Sequence, residues 1–177
     1  MNGGRVARRY ARAVFDLAVS TRQEEEWLRD LRVVESILTQ PELAALLDNP
    51  AVPFGEKRAV VEGTMAGLDQ TRRSFVFVLV EHGRTSVISE IVAEYQRELN
   101  EHQGVAVAEV TTAVPLDDAE SVAVTRRLEQ IVGKRIILEK RVDPSILGGV
   151  IARIGDRLVD GSIAGQLESL RRELTSA

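Results

Sequence analysis

Hydrophobic residues recur every three or four positions up to about residue 100, which is the spacing of helices that bury one face. Prolines and glycine-containing breaks interrupt this pattern at short intervals, because neither residue continues a helix readily. The pattern predicts six helices with short connections, an arrangement typical of an antiparallel bundle. The predicted bounds are 4–20, 24–40, 41–47, 54–65, 70–81 and 86–102.

The predicted fifth helix differs from the others, because its centre from Phe75 to Val80 is apolar on every side. Such a helix is either buried on all sides within a bundle or presents one side to a partner. The sequence alone leaves both interpretations open.

After Gly104 the hydrophobic period changes to every second position, which indicates β-strands. A first strand is predicted over 105–114, and Pro115 ends it. Asp117 and Glu120 have the spacing of a capping box, which starts a helix that runs to Val132. A second strand is predicted over 135–142.

The last part of the chain is predicted to form a hairpin and a helix. Strands at 150–154 and 157–159 flank the turn residues Gly155 and Asp156, and residues 160–162 are expected to end the sheet. The closing helix is predicted from Ile163, Leu167, Leu170 and Leu174, which recur at helical spacing. The predicted fold is therefore mainly α, with an N-terminal six-helix antiparallel bundle over 1–104 and a small C-terminal α+β domain over 105–177. Three glycines are interpreted as fold determinants of this second domain: Gly148, Gly149 and Gly161.

Composition excludes several kinds of function. The 177 residues carry a formal net charge of −4, and the acidic excess is present in both halves, which argues against a nucleic-acid-binding face. The chain has no cysteine, so it has no disulfide, thiolate metal site or cysteine nucleophile. Its apolar runs are shorter than the ~20 residues that a membrane-spanning helix needs.

Motifs for catalysis or cofactor binding are missing from the sequence. It contains neither a P-loop nor a G-x-S-x-G elbow, and its two histidines, His82 and His102, lack metal-ligand spacing. We therefore expect no enzyme activity, no cofactor and no metal.

Four arginines and no acid occupy the first dozen residues, which is also typical of a transit peptide. An apolar stripe runs through this segment, however, and consists of Val6, Tyr10, Ala13, Val14 and Leu17. The favoured interpretation is a first helix whose basic face lies in water.

Four sequence segments together resemble one known family. They are RRYARAVFDLA near the start, EHGRTSVISEIVAEY in the middle, AEVTTAVPL at the end of the first strand, and GGVIARIGDRLVDGSIAGQLESL near the end. The chain is similar in these segments to the delta subunit of F-type ATP synthases, called OSCP in mitochondria. The resemblance implies a non-catalytic stator subunit that links the alpha subunits of the F1 head to the b subunits of the peripheral stalk.

The resemblance also implies where the partners bind. In the family, the first and fifth helices hold the N-terminal helix of an alpha subunit, while the C-terminal domain meets the b subunits. The residues that match the alpha-binding groove are Tyr10, Ala13, Val14, Leu17, Phe75, Val78, Leu79 and His82. The candidates for b contact are Gln166, Arg171 and Arg172. Each groove residue has the alternative interpretation of a core residue, and Trp27 is interpreted as a packing residue near the first helix or as a partner contact.

The implied location is the cytoplasmic face of the bacterial plasma membrane, with the membrane reached only through the complex. A different function, an RNA-binding adaptor, is suggested by the resemblance of an arginine-rich helical bundle to bacterial antitermination factors. The C-terminal α+β domain and the acidic balance argue against that alternative.

Overall fold

The computed structural model describes residues 3–146 and 148–162. Over these residues the chain is mainly helical, with seven α-helices and a small four-stranded sheet. The chain divides into two compact units, Met1–Leu99 and Asn100–Ala177. Each unit has its own hydrophobic core.

Helices make up the first unit, and their bounds lie within two residues of those predicted from the hydrophobic period, apart from a short 3₁₀ turn at Thr85–Val87 that precedes the last helix. The helices are α1 Gly3–Thr21, α2 Glu24–Leu38, α3 Pro41–Asp48, α4 Phe54–Thr64, α5 Gln70–Glu81 and α6 Ile88–His102. Pro41 stands at the first position of α3, where its missing N–H costs nothing.

The core of the first unit is aliphatic, with Trp27 and Tyr95 as its largest fully buried side chains. The buried face of α1 consists of Ala7, Ala11, Val14, Phe15 and Ala18. Of the apolar stripe along α1, only Val14 belongs to this buried face, because small alanines occupy the side that packs closely against the neighbouring helices.

Two buried hydroxyl groups form hydrogen bonds between different helical segments of the first unit. The Tyr95 hydroxyl of α6 donates to the Glu24 carbonyl oxygen at 2.9 Å, which joins α6 to the start of α2. Burial, with a smaller contribution from the Glu24 carboxylate, raises the pKa of Tyr95 above its ordinary range. Thr85 Oγ1 donates to Asp48 Oδ1 at 2.6 Å, which joins the 3₁₀ turn to the end of α3.

The second unit is built on a mixed sheet with the order β2-β1-β3-β4. Strands β1 (Val105–Thr112) and β2 (Arg135–Val142) are parallel, and α7 (Asp118–Val132) connects them. Strands β3 (Gly149–Ile154) and β4 (Arg157–Ser162) form an antiparallel hairpin that pairs with the other side of β1.

The capping signals in the sequence are confirmed. Asp117 accepts a hydrogen bond from the Glu120 N–H at 2.7 Å, and Glu120 accepts one from the Asp117 N–H at 3.0 Å. Gly133 ends α7 with a φ of 72°, a left-handed conformation that favours glycine. The core beneath α7 contains Ala108, Val110, Leu128, Ile136, Ala152 and Ile154.

The end of the hairpin differs from the prediction. Residues 160–162 were expected to end the sheet, yet β4 continues to Ser162, because Gly161 and Ser162 pair with Val150 and Gly149 of β3. Gly148 and Gly149 have φ angles of 122° and 86°, in the region that side chains with a Cβ rarely adopt. The closing helix predicted from Ile163 onward lies outside the described residues.

Candidate docking groove

An open groove of about 380 Å³ lies on the surface of the helical unit, between α1 and α5. Its lining is almost entirely apolar. The residues that line it are Tyr10, Ala13, Val14, Leu17, Trp27, Thr71, Ser74, Phe75 and Val78.

The wall from α1 exists because the alanines of this helix turn inward. Ala7, Ala11 and Ala18 are fully buried, so the residues a quarter-turn away are left on the flank of the helix. Leu17 is 40% exposed and Ala13 is exposed. The small side chain of Ala13 leaves room for another helix to approach the backbone of α1 closely.

The wall from α5 comes from a helix that is buried on only one side. Val76, Leu79 and Val80 point into the core, whereas Val78 is 40% exposed and Phe75 is half-buried. The apolar run left two interpretations open, burial on all sides or one side presented to a partner. The structure shows that α5 is not buried on all sides and leaves an apolar surface exposed. Exposed apolar residues next to one another are typical of an interaction surface.

Aromatic rings form the floor of the groove. The Phe75 ring meets Tyr10 and Trp27 edge to face, with centroid distances of 6.4 Å in both pairs. Trp27 is only 1% exposed, so its ring forms the groove surface from below while the core encloses the rest. Interlocked rings of this kind have little freedom to rearrange when a ligand arrives.

Arg72 is a residue that the sequence reasoning missed. It is 7% exposed, and its guanidinium carbon lies 4.7 Å from the centroid of the Trp27 ring. The charge is balanced by Asp30, at 2.8 Å from Nε, by Asp69, and by Glu26 at 3.8 Å. The available signals were the Asp69 N-cap three residues before Arg72 and the carboxylates one helical turn apart on α2.

Asp69 is the N-cap of α5 and accepts two hydrogen bonds from Arg72. Its carboxylate accepts a hydrogen bond from the Arg72 backbone N–H at 2.8 Å and another from the guanidinium. Partial burial opposes the charged form, but these hydrogen bonds and the nearby positive charge outweigh it and lower the pKa of Asp69. The start of α5 is thereby connected to α2 through one cation.

Two residues predicted for the groove do not line it. Leu79 is fully buried in the core, because it lies one helical turn after Phe75 on the side of α5 that turns toward the core. His82 caps the end of α5, with its Nδ1 atom 2.9 Å from the Val78 carbonyl oxygen. The residues predicted to contact b subunits, Gln166, Arg171 and Arg172, lie outside the described residues.

Two of the four arginines on the basic face of α1 are paired with carboxylates of α6. Arg12 donates to Glu98 of α6 at 2.8 Å, and Arg8 forms an ion pair with Glu94 of α6 at 3.7 Å. These carboxylates reduce the positive charge that α1 could offer to phosphate groups, which argues against RNA binding.

A second depression of about 480 Å³ lies between α4 and α5 and is more polar. Arg58 and Glu62 form an ion pair there at 2.9 Å, and the Arg58 guanidinium lies 5.0 Å from the Phe77 ring centroid. Because Arg58 and Glu62 neutralise each other, the depression offers a weaker case for a ligand than the apolar groove.

Among the described residues, no group of His, Asp and Glu side chains is arranged to hold a metal ion. Within the same part of the chain, no helix combines the length and the apolar character needed to cross a membrane.

Comparison with known proteins gives consistent results. Residues 6–174 match the family model described as ATP synthase delta (OSCP) subunit. ATP synthase subunit delta of Anaeromyxobacter sp. (strain Fw109-5) is 38% identical over 174 residues, which cover 97% of each chain. The subunit of the same name from Flavobacterium johnsoniae is 35% identical over 177 residues, which cover 99% of this chain and 100% of the relative.

A solved structure has a similar fold. A chain in the cryo-EM structure of the Toxoplasma gondii mitochondrial ATP synthase hexamer superposes with a TM-score of 0.65, over 96% of this chain and 97% of that chain. Its sequence identity is 22%, so the likeness is one of fold alone.

Proposed function

The chain belongs to the ATP synthase delta (OSCP) subunit family, and from this premise we propose that it is a non-catalytic peripheral-stalk subunit of an F-type ATP synthase. In this role it holds the F1 catalytic head against the torque of the rotor. The six helices of residues 1–104 serve as an antiparallel bundle that binds the head, and residues 105–177 serve as the domain that binds the b subunits.

One observation carries the proposal for the head contact, namely the apolar groove between α1 and α5. An amphipathic helix binds such a groove through anchors spaced three and four residues apart. The exposed parts of Leu17 and Val78 offer apolar surface on opposite walls, and Ala13 allows a close approach. We take the occupant to be the N-terminal helix of an alpha subunit, as the family resemblance implies.

The contact suits a mechanical role. A stator must stay bound while the load on it changes direction and size, and it needs no chemical step. A preformed groove reduces the entropy lost on binding, so more of the apolar burial appears as affinity. The interlocked rings of Tyr10, Phe75 and Trp27 supply such a preformed surface.

The second unit supports the proposal less directly. Its sheet covers α7 with one face, and the other face carries Ile137 and Leu158, which are 50% and 61% exposed. These residues add apolar surface to a unit that we propose binds the b subunits. The location that follows is the cytoplasmic face of the bacterial plasma membrane, reached through the complex.

The test is a calorimetric titration of the full chain with a peptide that copies the first ~20 residues of the same organism's alpha subunit, about 30 Å long as a helix. We expect one-to-one binding with a Kd of about 1 µM or tighter, and a negative heat-capacity change from apolar burial. Absence of binding by a chain with a helical circular dichroism spectrum would remove the groove assignment.

A matched pair of variants locates the binding. Ala13→Leu places a larger side chain in the groove, whereas Ala93→Leu makes the same change at an exposed position on α6 that does not line it. We expect Ala13→Leu to weaken binding roughly tenfold or more, and Ala93→Leu to leave it unchanged. Equal affinities for the two variants would place the alpha helix elsewhere.

A further inference from the structure

Arg72 is the one charged residue that is buried in the described part of the chain. Removing a guanidinium from water costs several kcal/mol unless partners replace the solvent. A buried ion pair is for this reason weak evidence of a contribution to stability, and an apolar side chain of similar volume often serves stability equally well. A role beyond stability is therefore worth seeking at this position.

The partners of Arg72 hold its guanidinium from several directions. Nε lies 2.8 Å from Asp30 Oδ2, close enough for an ion pair although the angle is not that of a hydrogen bond. One terminal nitrogen donates to Asp69 and also lies 3.3 Å from the Gln23 side-chain oxygen. Contacts on α2, on the N-cap of α5 and on the residue that precedes α2 together fix the plane of the guanidinium.

The guanidinium carbon lies over the Trp27 ring, 4.7 Å from its centroid. The same ring meets the edge of Phe75 at 6.4 Å, and both aromatic residues line the groove. Trp27 is thus held between a fixed cation and the aromatic residue at the centre of the α5 wall. A cation stacked on an indole away from water is among the stronger contacts of this type.

We propose that Arg72 is a positioning residue for the groove, which holds the Trp27 ring in the orientation that an incoming helix requires. Arg72 is not among the groove-lining residues, so its effect on binding acts through Trp27. Arginine is essential to this role, because lysine keeps the charge but lacks the rigid fork of N–H groups through which Asp30 and Asp69 hold the cation over the ring. The inference about affinity rests on the proposed function, whereas the inference about the ring does not.

The test uses the full chain and three variants. Arg72→Met removes the cation and keeps much of the volume, and Arg72→Lys keeps the charge alone. Arg73→Met is the control, because it removes the same charge from the next residue of α5, whose side chain lines the polar depression instead. Asp30, Glu26 and Asp69 are all partly exposed, so water can solvate them when Arg72 is replaced, and the variants are expected to fold.

The first readout needs no partner. Trp27 is the only tryptophan of the chain, so time-resolved fluorescence anisotropy reports the freedom of this one ring. We expect a fast component, on the picosecond-to-nanosecond scale of side-chain motion, to appear in Arg72→Met and Arg72→Lys and to be absent from Arg73→Met. Identical decays in all four proteins would overturn the proposal.

The second readout is affinity for the alpha-subunit peptide, compared with urea stability of the same proteins. We expect Arg72→Met and Arg72→Lys to bind the peptide roughly tenfold more weakly than the natural chain, even if Arg72→Lys is more stable in urea than Arg72→Met. The affinity of Arg73→Met should stay within about twofold of that of the natural chain. Affinity that follows stability across the three variants would overturn the positioning role. If the natural chain does not bind the peptide, the proposed function fails at this groove, and the anisotropy decays alone decide the role of Arg72.

Discussion

The rings of Tyr10 and Phe75 meet edge to face with their centroids 6.4 Å apart, and this contact joins the two walls of the groove. Tyr10 belongs to α1 and Phe75 to α5, so the spacing of the walls is set by two side chains before any ligand binds. Aromatic pairs in this geometry contribute about 0.5–1.5 kcal/mol beyond their apolar burial. The groove is accordingly a feature of the folded unit itself, and changes to its walls have separable effects on binding and on folding.

Val78→Asp should weaken binding of the alpha-subunit peptide without unfolding the chain. Val78 is 40% exposed, so the new carboxylate is solvated in the free protein but must lose water beneath an apolar helix. We expect roughly tenfold weaker binding or more by calorimetry, and a change in unfolding free energy of about 0.5–1 kcal/mol. The control is Val33→Asp, at a 48% exposed valine of α2 that lies outside the groove. Unchanged affinity for Val78→Asp would show that this part of α5 does not face the partner.

Leu79→Ala should destabilise the helical unit, although the residue is next to Val78 in sequence. Leu79 is fully buried, so its truncation leaves a cavity and should cost about 2–5 kcal/mol, whereas Val78→Ala should cost less than about 1 kcal/mol. Urea unfolding followed by Trp27 fluorescence measures this difference within the unit that contains both residues. Equal losses of stability for the two variants would contradict the burial of Leu79.

Val78 and Leu79 show which features of α5 can be predicted from the sequence and which cannot. A helix over 70–81 follows from its boundaries, and α5 has those bounds, but a run that is apolar on every side has no period to reveal its buried face. Packing against the other helices decides that Val78 faces the groove and Leu79 the core. For α1 the apolar stripe contains Tyr10 and Leu17, which line the groove, whereas much of the buried face is built from alanines that the pattern did not single out.

Long-range pairing explains the other differences. Two of the three carboxylates that neutralise Arg72, Asp30 and Glu26, lie on another helix more than 40 positions earlier, so local sequence does not reveal that Arg72 is buried. Gly161 and its neighbours favour a turn locally, but the ladder to β3 satisfies their backbone groups and extends β4. The capping box at Asp117 was predictable because all its partners lie within four residues.

Asp69→Asn should remove an acid-dependent part of the stability of the helical unit. Hydrogen bonds and charge from Arg72 hold the pKa of Asp69 below its ordinary value of 3.8, so the native state keeps this carboxylate ionised to lower pH than the unfolded state does. The resulting stabilisation is complete above 3.8 and is lost as the pH falls through the lowered native value. Asparagine still serves as an N-cap, so this variant isolates the charge.

The measurement is urea unfolding of both proteins, followed by Trp27 fluorescence, from pH 6 down to about pH 2.5. We expect the natural chain to be more stable than Asp69→Asn at pH 6. The difference between their unfolding free energies should narrow only in the acidic part of the range. In an Arg72→Met background the narrowing should be smaller, because the guanidinium that favours the charged form is gone. A gap of constant size over the whole range would show that the Asp69 charge is not linked to folding.

Gly149→Ala should loosen the sheet of the second unit. Gly149 has a φ of 86° and pairs with Ser162, so an alanine here must either adopt a strained backbone or give up the first pair of the hairpin. Strain of this kind costs about 1–3 kcal/mol, which corresponds to amide exchange faster by roughly tenfold or more. Hydrogen exchange of the β1 amides from Ala108 to Thr112, the residues that pair with β3, measures the effect. The control is Gly63→Ala in α4, where a Cβ meets nothing within 4 Å and φ is not positive, so exchange in β1 should not change. If Gly149→Ala left the β1 amides as protected as before, the positive φ at this glycine would not be a requirement of the fold.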